Sequence, residues 1–319
     1  MRLSNVAMTM KSEWIDRYGM LPAGTHVLCA VSGGADSIFL LHQLKAMEKE
    51  RGLQISVAHF DHGLRGIESD RDRQFTQQQC DALNVPCVVG HGDVAAYASD
   101  HRIGLEEAAR TLRYRFLDET ADRLHCDKIA TAHTANDNAE TVLMNLCRGA
   151  GSRGLAGIPP VRARLIRPLL QTGRQEIETW LRENEIPWVE DSSNGDDGFT
   201  RNRFRHRILP LLQEENPALL EAISRTSELL REDDACLTRQ AEEFLRKNLQ
   251  DLIIPSKALL SLEPAVAARV LRTLCGSGLS LERTQALLRF AESTERGTLE
   301  LPGQKVLRCR GMLIFEPRN

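Results

Sequence analysis

The 319-residue chain has no run of 18 apolar residues, so no segment is long enough to cross a bilayer as a helix. Its first 19 residues, MRLSNVAMTMKSEWIDRYG, carry charges where a secretion signal needs an apolar block, which makes the cytoplasm the expected compartment. The eight cysteines, at positions 29, 80, 87, 126, 147, 236, 275 and 309, include no two separated by two or three residues. That spacing excludes a zinc knuckle and predicts reduced thiols without a disulfide framework. There is no Gly-Lys dipeptide, which excludes a Walker loop ending in Gly-Lys-Ser/Thr. A large net charge is also missing: the total is −3, which argues against a generally nucleic-acid-binding surface.

The charge is segregated, however. Six arginines and no acid lie between Arg148 and Arg174, and FTRNRFRHRILP (199–210) adds four more without one. Segregation of this kind steers a polyanion to one face even near neutrality. With 42% hydrophobic and 27% charged residues, the chain is long and apolar enough for two domains with real cores.

Apolar strand-like runs at 27–31, 55–59, 86–89 and 128–131 are each followed by a polar turn and a helical pattern, at about 38–51, 69–83, 105–124 and 135–146. This alternation implies a parallel α/β sheet whose ligand crevice lies at the carboxyl ends of the strands, where Ser32, His59 and His133 fall. On the helix from 105, the spacing predicts a buried stripe of Leu105, Ala109, Leu112 and Phe116, with Arg110 and Arg113 on a neighbouring stripe. A Gly-, Pro- and Arg-rich stretch after Leu146 reads as a binding loop, followed by a short helix at about 175–184. After Pro210 the composition turns helical and acidic through about Gln250, and GTLELPGQKVLRCRGMLIFEP (297–317) alternates like a β-ribbon. The predicted boundary lies near 211–216, giving a domain of residues 1–214 and a smaller, mainly helical domain of 215–319. No internal repeat is present.

The turn after the first strand, SGGADS (Ser32–Ser37), brings small residues and unpaired N–H groups to a helix N-terminus, a natural anion site. Without a P-loop lysine, nucleotide charge at this turn must be met by backbone donors, hydroxyls, a carboxylate-held Mg²⁺ and arginines from elsewhere. GAGSRG (149–154) matches a dinucleotide fingerprint but follows a helical pattern, so the match is accidental.

SGGADS is similar to the phosphate loop of the N-type ATP pyrophosphatases. Four further blocks occur in order: HFDHGLRG (59–66), EEAARTLRYRF (106–116), TAHTANDNAETVLMNLCRGAGSRGLAG (131–157) and EDSSNGDDGFTRNRFRHRILP (190–210). Together they resemble the tRNA(Ile)-lysidine synthetase family. The resemblance implies a Rossmann-like sheet with a PP-loop, and a length like that of the family's short form. It also implies an ATP-dependent ligase that adenylates C2–O of the wobble cytidine in a CAU-anticodon isoleucine tRNA. The ε-amine of L-lysine then attacks C2 and displaces AMP. A homodimer is compatible with this reading, and no membrane partner is expected.

Carried over residue by residue, the resemblance places pyrophosphate on Ser32, Gly33, Gly34, Ala35 and Ser37 and Mg²⁺ on Asp36, and sets Arg113 against the α-phosphate. His133 joins them as a catalytic candidate. Asn136 stands where the family pattern H-x-x-D-D-x-x-E-T has its first Asp, leaving Asp137 and Glu140 as the acids expected to meet lysine's amino groups. Asp61 and Ser192 also depart from the usual residues, without removing a group that the mechanism requires. Arg201, Asn202 and Arg205 suit phosphate contacts with ATP or tRNA, whereas Arg110 is expected to pair with Glu106 on a solvated face. Three other readings share the phosphate loop. A tRNA thiolase would carry paired cysteines, and a small-metabolite amide synthetase would not need the arginine-rich loop. A non-catalytic nucleotide-dependent RNA-binding module would release no pyrophosphate.

Overall fold

Strand β1 (His26–Ala30) is buried on both faces in a computed structural model of the chain, which describes residues 10–63, 67–190, 200–276 and 279–317. Successive strand side chains point to opposite faces, so Val27 and Cys29 enter one hydrophobic core and Leu28 another. A strand sandwiched in this way must be apolar throughout, which is why VLC reads as a continuous run.

The chain divides into two compact units, Met1–Ser227 and Glu228–Asn319. In the first, α1 (Ser12–Arg17) precedes β1, and the order continues α2 (Ala35–Arg51), β2 (Gln54–Asp61), α3 (Ile67–Ala82), β3 (Cys87–His91), α4 (Val94–His101), α5 (Leu105–Arg123), β4 (Lys128–Ala130) and α6 (Ala135–Cys147). After α7 (Ser152–Leu155), a hairpin of β5 (Val161–Arg162) and β6 (Leu165–Ile166) leads to α8 (Arg174–Glu183). The six strands lie in the order β3-β2-β1-β4-β6-β5, parallel except for the β5–β6 pair. The chain moves outward from β1 through β2 and β3, then returns to the other side of β1 as β4. The strand order therefore reverses between β1 and β4, where the open ends of such sheets leave a crevice.

Helix α2 is buried on most sides through its first three turns, with Ile38, Phe39, Leu40, Leu41, Leu44 and Met47 fully buried. It fills the space between the sheet and α8, where Phe39 meets Trp180 edge-on at 5.0 Å between ring centroids. Burying each such side chain contributes about 1.5–3 kcal/mol, and this fixes the direction in which the N-terminus of α2 points.

Helix α5 covers the opposite face, but its buried stripe differs from the expected one. Ala108, Leu117, Thr120 and Ala121 are buried, while Leu105 is 54% exposed. Ala108 leans on Val94 and Ala98 of α4, while Leu117 and Ala121 enter the sheet core, with Tyr114 and Phe116 packed against it. Phe116 packs closely on β3: a Cβ at Gly90 would stand 2.3 Å from its ring. Its ring also meets Phe60 at 5.4 Å.

The arginine-rich stretch is not an open loop. It holds α7 and the hairpin that extends the sheet, and two of its arginines are structural. Arg167 is 2% exposed and donates to the Pro159 carbonyl, and Arg164 bridges Asp118 and Asp122 of α5. After residues 191–199, which hold Ser192 and the expected DSSNGDDG turn and lie outside the described residues, come α9 (Thr200–Arg203), a π-helical turn Phe204–Ile208, and α10 (Leu209–Glu215).

Helix α11 (Leu219–Asn248) contains the division point between the units. The second unit then continues with β7 (Ile253–Pro255), α12 (Ser256–Leu260), α13 (Pro264–Cys275), α14 (Leu281–Glu292), β8 (Gly297–Leu301), β9 (Gln304–Cys309) and β10 (Met312–Pro317). Its core gathers Phe244, Leu259, Val270, Leu287, Val306 and Leu313. The expected ribbon is part of a four-stranded antiparallel sheet ordered β7-β10-β9-β8. Among the described residues, no helix is long and apolar enough to cross a membrane.

Candidate active site

A cavity of about 800 Å³ opens where β1 and β4 end. Its floor is the turn into α2. Gly33 adopts φ +97°, a left-handed conformation open to glycine, and its carbonyl accepts the Val189 N–H at 3.0 Å. This turn leaves Gly34 as the N-cap of α2 with no side-chain cap, so the first N–H groups of the helix stay available to an anion. Ser37 Oγ donates to the Gly34 carbonyl (2.9 Å) and accepts the Ser32 N–H (3.1 Å), closing the loop on itself.

Asp36, in the first turn of α2, lines the cavity. Its Oδ2 accepts from Arg174 Nη1 at 2.6 Å, while Oδ1 is buried with no hydrogen-bond partner among the described residues. Burial pushes its carboxyl up to about 6, with the neighbouring Asp137 charge adding to the shift and Arg174 opposing it. An unpartnered buried carboxylate oxygen beside an anion site fits a divalent cation. Among the described residues no three acids, histidines or cysteines converge as a metal cage. A single carboxylate suits a hard divalent cation that takes its remaining ligands from phosphate and water.

The opposite wall is α5. Glu106, Ala109, Arg110, Arg113 and Leu117 face the cavity at helical spacing. The guanidinium carbons of Arg110 and Arg113 lie 4.8 and 5.5 Å from the ring centre of Tyr114, and neither arginine has a carboxylate partner among the described residues. Burial lowers the pKa of Arg113 from its ordinary value, although a guanidinium remains charged at any physiological pH. Arg110, expected on a solvated face, thus stands on the cavity wall beside Arg113.

β4 delivers His133, whose Nδ1 lies 3.0 Å from Thr131 Oγ1. Burial first, and then Arg167, Arg113 and Arg110, push its imidazole down to about 4 against the opposing effect of Asp137. It is neutral at pH 7. His59, by contrast, is a satisfied core histidine, with Nδ1 2.9 Å from the Val31 carbonyl.

α6 begins with a reciprocal cap. Asp137 Oδ2 accepts the Thr134 N–H (2.8 Å) while Thr134 Oγ1 accepts the Asp137 N–H (3.4 Å). The other oxygen of Asp137 accepts from Arg205 Nη2 at 3.0 Å. One turn on, Glu140 is fully buried behind the wall, and its Oε1 accepts from Arg205 Nε at 2.7 Å. Burial raises its carboxyl against the opposing pull of Arg205. Arg201 stands 3.4 Å from Glu140 Oε2. Arg201 and Arg205 line the cavity, but Gly33, Ala35, Glu140 and Asn202 do not.

The chain is 38% identical to the tRNA(Ile)-lysidine synthase of Solibacter usitatus (strain Ellin6076), over 91% of this chain and 67% of that one. With that of Geobacillus kaustophilus (strain HTA426) it shares 35% identity over 95% of this chain and 69% of the relative. The chain belongs to the tRNA(Ile)-lysidine synthase family. Residues 8–212 match the PP-loop domain model, and the chain spans about half to two thirds of the length of the curated relatives it matches. The U34-tRNA thiolase NcsA from Methanococcus maripaludis, with its [4Fe-4S] cluster, superposes with a TM-score of 0.58 at 18% identity. The superposition covers 70% of this chain and 78% of that one, and the likeness is one of fold.

Several family-site neighbours lie outside the residues that sequence reasoning selected. Arg174 bridges Asp36 and Glu178, and its backbone N–H is accepted by Asn136 Oδ1 at 2.9 Å. The Asn136 amide oxygen thereby satisfies the first N–H of α8. The only signal in the sequence was an arginine directly after Thr-Gly at the start of a helical pattern.

Proposed function

We propose that the chain ligates L-lysine to C2 of the wobble cytidine of a CAU-anticodon isoleucine tRNA in two steps at this cavity. In the first, cytidine O2 bonds to the α-phosphorus of ATP and pyrophosphate leaves. In the second, the lysine ε-amine bonds to C2, AMP departs with the former carbonyl oxygen, and the amine loses a proton. The observation that carries this reading is the meeting, in one cavity, of a family-matching phosphate loop, a guanidinium with no carboxylate partner among the described residues and Asp137 of α6, with Glu140 buried behind it.

The turn at Ser32–Ser37 supports a pyrophosphate-binding role through its N–H groups and hydroxyls. Asp36, with its unpartnered oxygen, is the residue that would hold Mg²⁺, and bound there the ion would supply positive charge to the phosphates. Arg113, with no carboxylate partner among the described residues, is suited to charge developing at the α-phosphate. Asp137 on the wall and Glu140 behind it supply negative charge for lysine's amino groups. The ε-ammonium has a reference pKa of about 10.4 and must lose a proton before it attacks. Neutral His133 has room for that proton once a triphosphate offsets the arginines that help hold its pKa down. Because methionine tRNAs share the CAU anticodon, Glu228–Asn319 is assigned contacts to the tRNA outside it.

Nucleoside mass spectrometry of isoleucine tRNA incubated with the protein, ATP and lysine tests the reading. Lysidine at the wobble position is expected, and an unmodified cytidine would overturn it.

A further inference from the structure

We infer that Arg205 is an internal stand-in for the lysine ammonium and that nucleotide binding draws it away, so that ATP and lysine strengthen each other's binding. This rests on the reading of Asp137 and Glu140 as the acids that meet lysine.

Glu140 has no exposed surface, and its compensation is the Arg205 fork, with Nε on Oε1 at 2.7 Å and Nη2 on Oε2 at 3.3 Å, backed by Arg201 at 3.4 Å. The same Nη2 reaches Asp137 Oδ1 at 3.0 Å. Both acids needed for an ammonium ligand are therefore already bound to a cation of this chain. A carboxylate buried to this depth is not left bare, because the cost of an uncompensated internal charge is prohibitive. Breaking such a buried pair costs about 3–5 kcal/mol, and Arg201 alone stands farther off at 3.4 Å, so Arg205 leaves most readily as another cation arrives, and an ammonium ion is that cation.

The second requirement is a destination. The Arg205 side chain is 36% exposed and lines the same cavity as Ser32, Asp36 and Arg113. It is close enough to Asp36 for the two charges to influence each other. A triphosphate on the Ser32–Ser37 turn would thus offer Arg205 an anion within the cavity it already faces. The backbone that carries it is a π-helical turn, a form seen mostly as single turns and frequently at functional sites. With nucleotide present, Arg205 exchanges carboxylates for phosphate and lysine takes the vacated place. Without nucleotide, lysine competes against a tethered guanidinium.

Coupling of two ligands through one side chain is reciprocal. Calorimetric titration of L-lysine into the full chain, with and without Mg²⁺ and a non-hydrolysable ATP analogue, reads it directly. The analogue is expected to tighten lysine by about tenfold, within the usual span of coupled sites. In Arg205→Gln lysine should bind without nucleotide as tightly as it binds wild type with nucleotide. Equal lysine affinity of the wild type in both conditions overturns the inference, as does coupling that persists in Arg205→Gln. Should that variant fail to fold, the reciprocal wild-type titration decides: lysine must tighten the analogue by the same factor, and no change defeats the proposal. Lysidine formed by a wild type whose lysine affinity ignores nucleotide would sink this inference alone. An absence of both lysine binding and lysidine would remove the proposed function with it.

Discussion

Asp36 is a residue that the folded chain holds in an unfavourable ionisation state. Its carboxyl is raised by burial from 3.8 to about 6, so folding disfavours its charge. An acid shifted upward costs nothing below its unfolded pKa. The cost then grows as pH rises from about 4 to about 6 and is complete above that. Two units correspond to about 3 kcal/mol, and loss of the Arg174 pairing in a variant would return part of it. Asp36→Asn is accordingly expected to be about 1–3 kcal/mol more stable than wild type at pH 7 and no more stable at pH 4, while losing tRNA-dependent pyrophosphate release. Urea midpoints at the two pH values check the first part, and a pyrophosphate assay the second. A variant less stable at pH 7 would mean that the Arg174 pair is a net structural asset.

At the scale of elements, α6 carries a cap and a ligand-facing acid in one residue. Asp137→Asn weakens the reciprocal cap with Thr134 and should cost about 1 kcal/mol. If the residue also serves lysine, the lysine concentration for half-maximal ligation should rise at least about tenfold. A stability loss with normal lysine saturation would leave Asp137 a cap alone. The element that bears it was readable in advance, because TANDNAETVLMNLC follows an apolar strand and has helical periodicity. The same holds for β1 to β4 and for α2, α3, α5 and α8, whose local patterns agree with their places in the sheet. What was not legible depends on distant partners. The two-residue strands β5 and β6 are too short to show a period. Leu105 reads as core by spacing, yet it lies on the helix turn that overhangs α4. Arg174 meets Asp36 across 138 positions and Arg205 meets Glu140 across 65, and no local pattern encodes such pairs.

For the molecule as a whole, the arginine runs divide by what already holds them. In the first run, Arg164 is tied to Asp118 and Asp122, Arg167 is buried, and Arg174 is on Asp36, whereas Arg148, Arg153 and Arg162 are exposed. Arg162, Arg164 and Arg167 lie close together in the sequence, and the structure leaves Arg162 as the exposed one of the three. Each phosphate contact steepens the salt dependence of binding by about 0.7–0.9 in the log–log slope. Replacing Arg148 and Arg162 with Gln should flatten that slope by about 1.5, whereas Arg164→Gln should leave it unchanged and cost no more than about 1 kcal/mol of stability. Filter binding of tRNA across a salt series distinguishes them.

The missing methyl at Gly90 acts as a spacer gauge for the whole reaction. It lets the Phe116 ring lie on β3, and Phe116 sits one turn beyond Arg113 on α5. Gly90→Ala would act as a wedge beneath that helix, displacing a cation that the substituted residue never touches. Misplacement of an aligned group by about 1 Å commonly costs about a hundredfold in rate. The expected result is a fall of that order in pyrophosphate release with little change in the ATP concentration needed, measured by pre-steady-state kinetics. The tolerance on phosphoryl chemistry would then be set by a hydrogen atom on the far side of a helix, at a position that screening of the cavity wall would pass over.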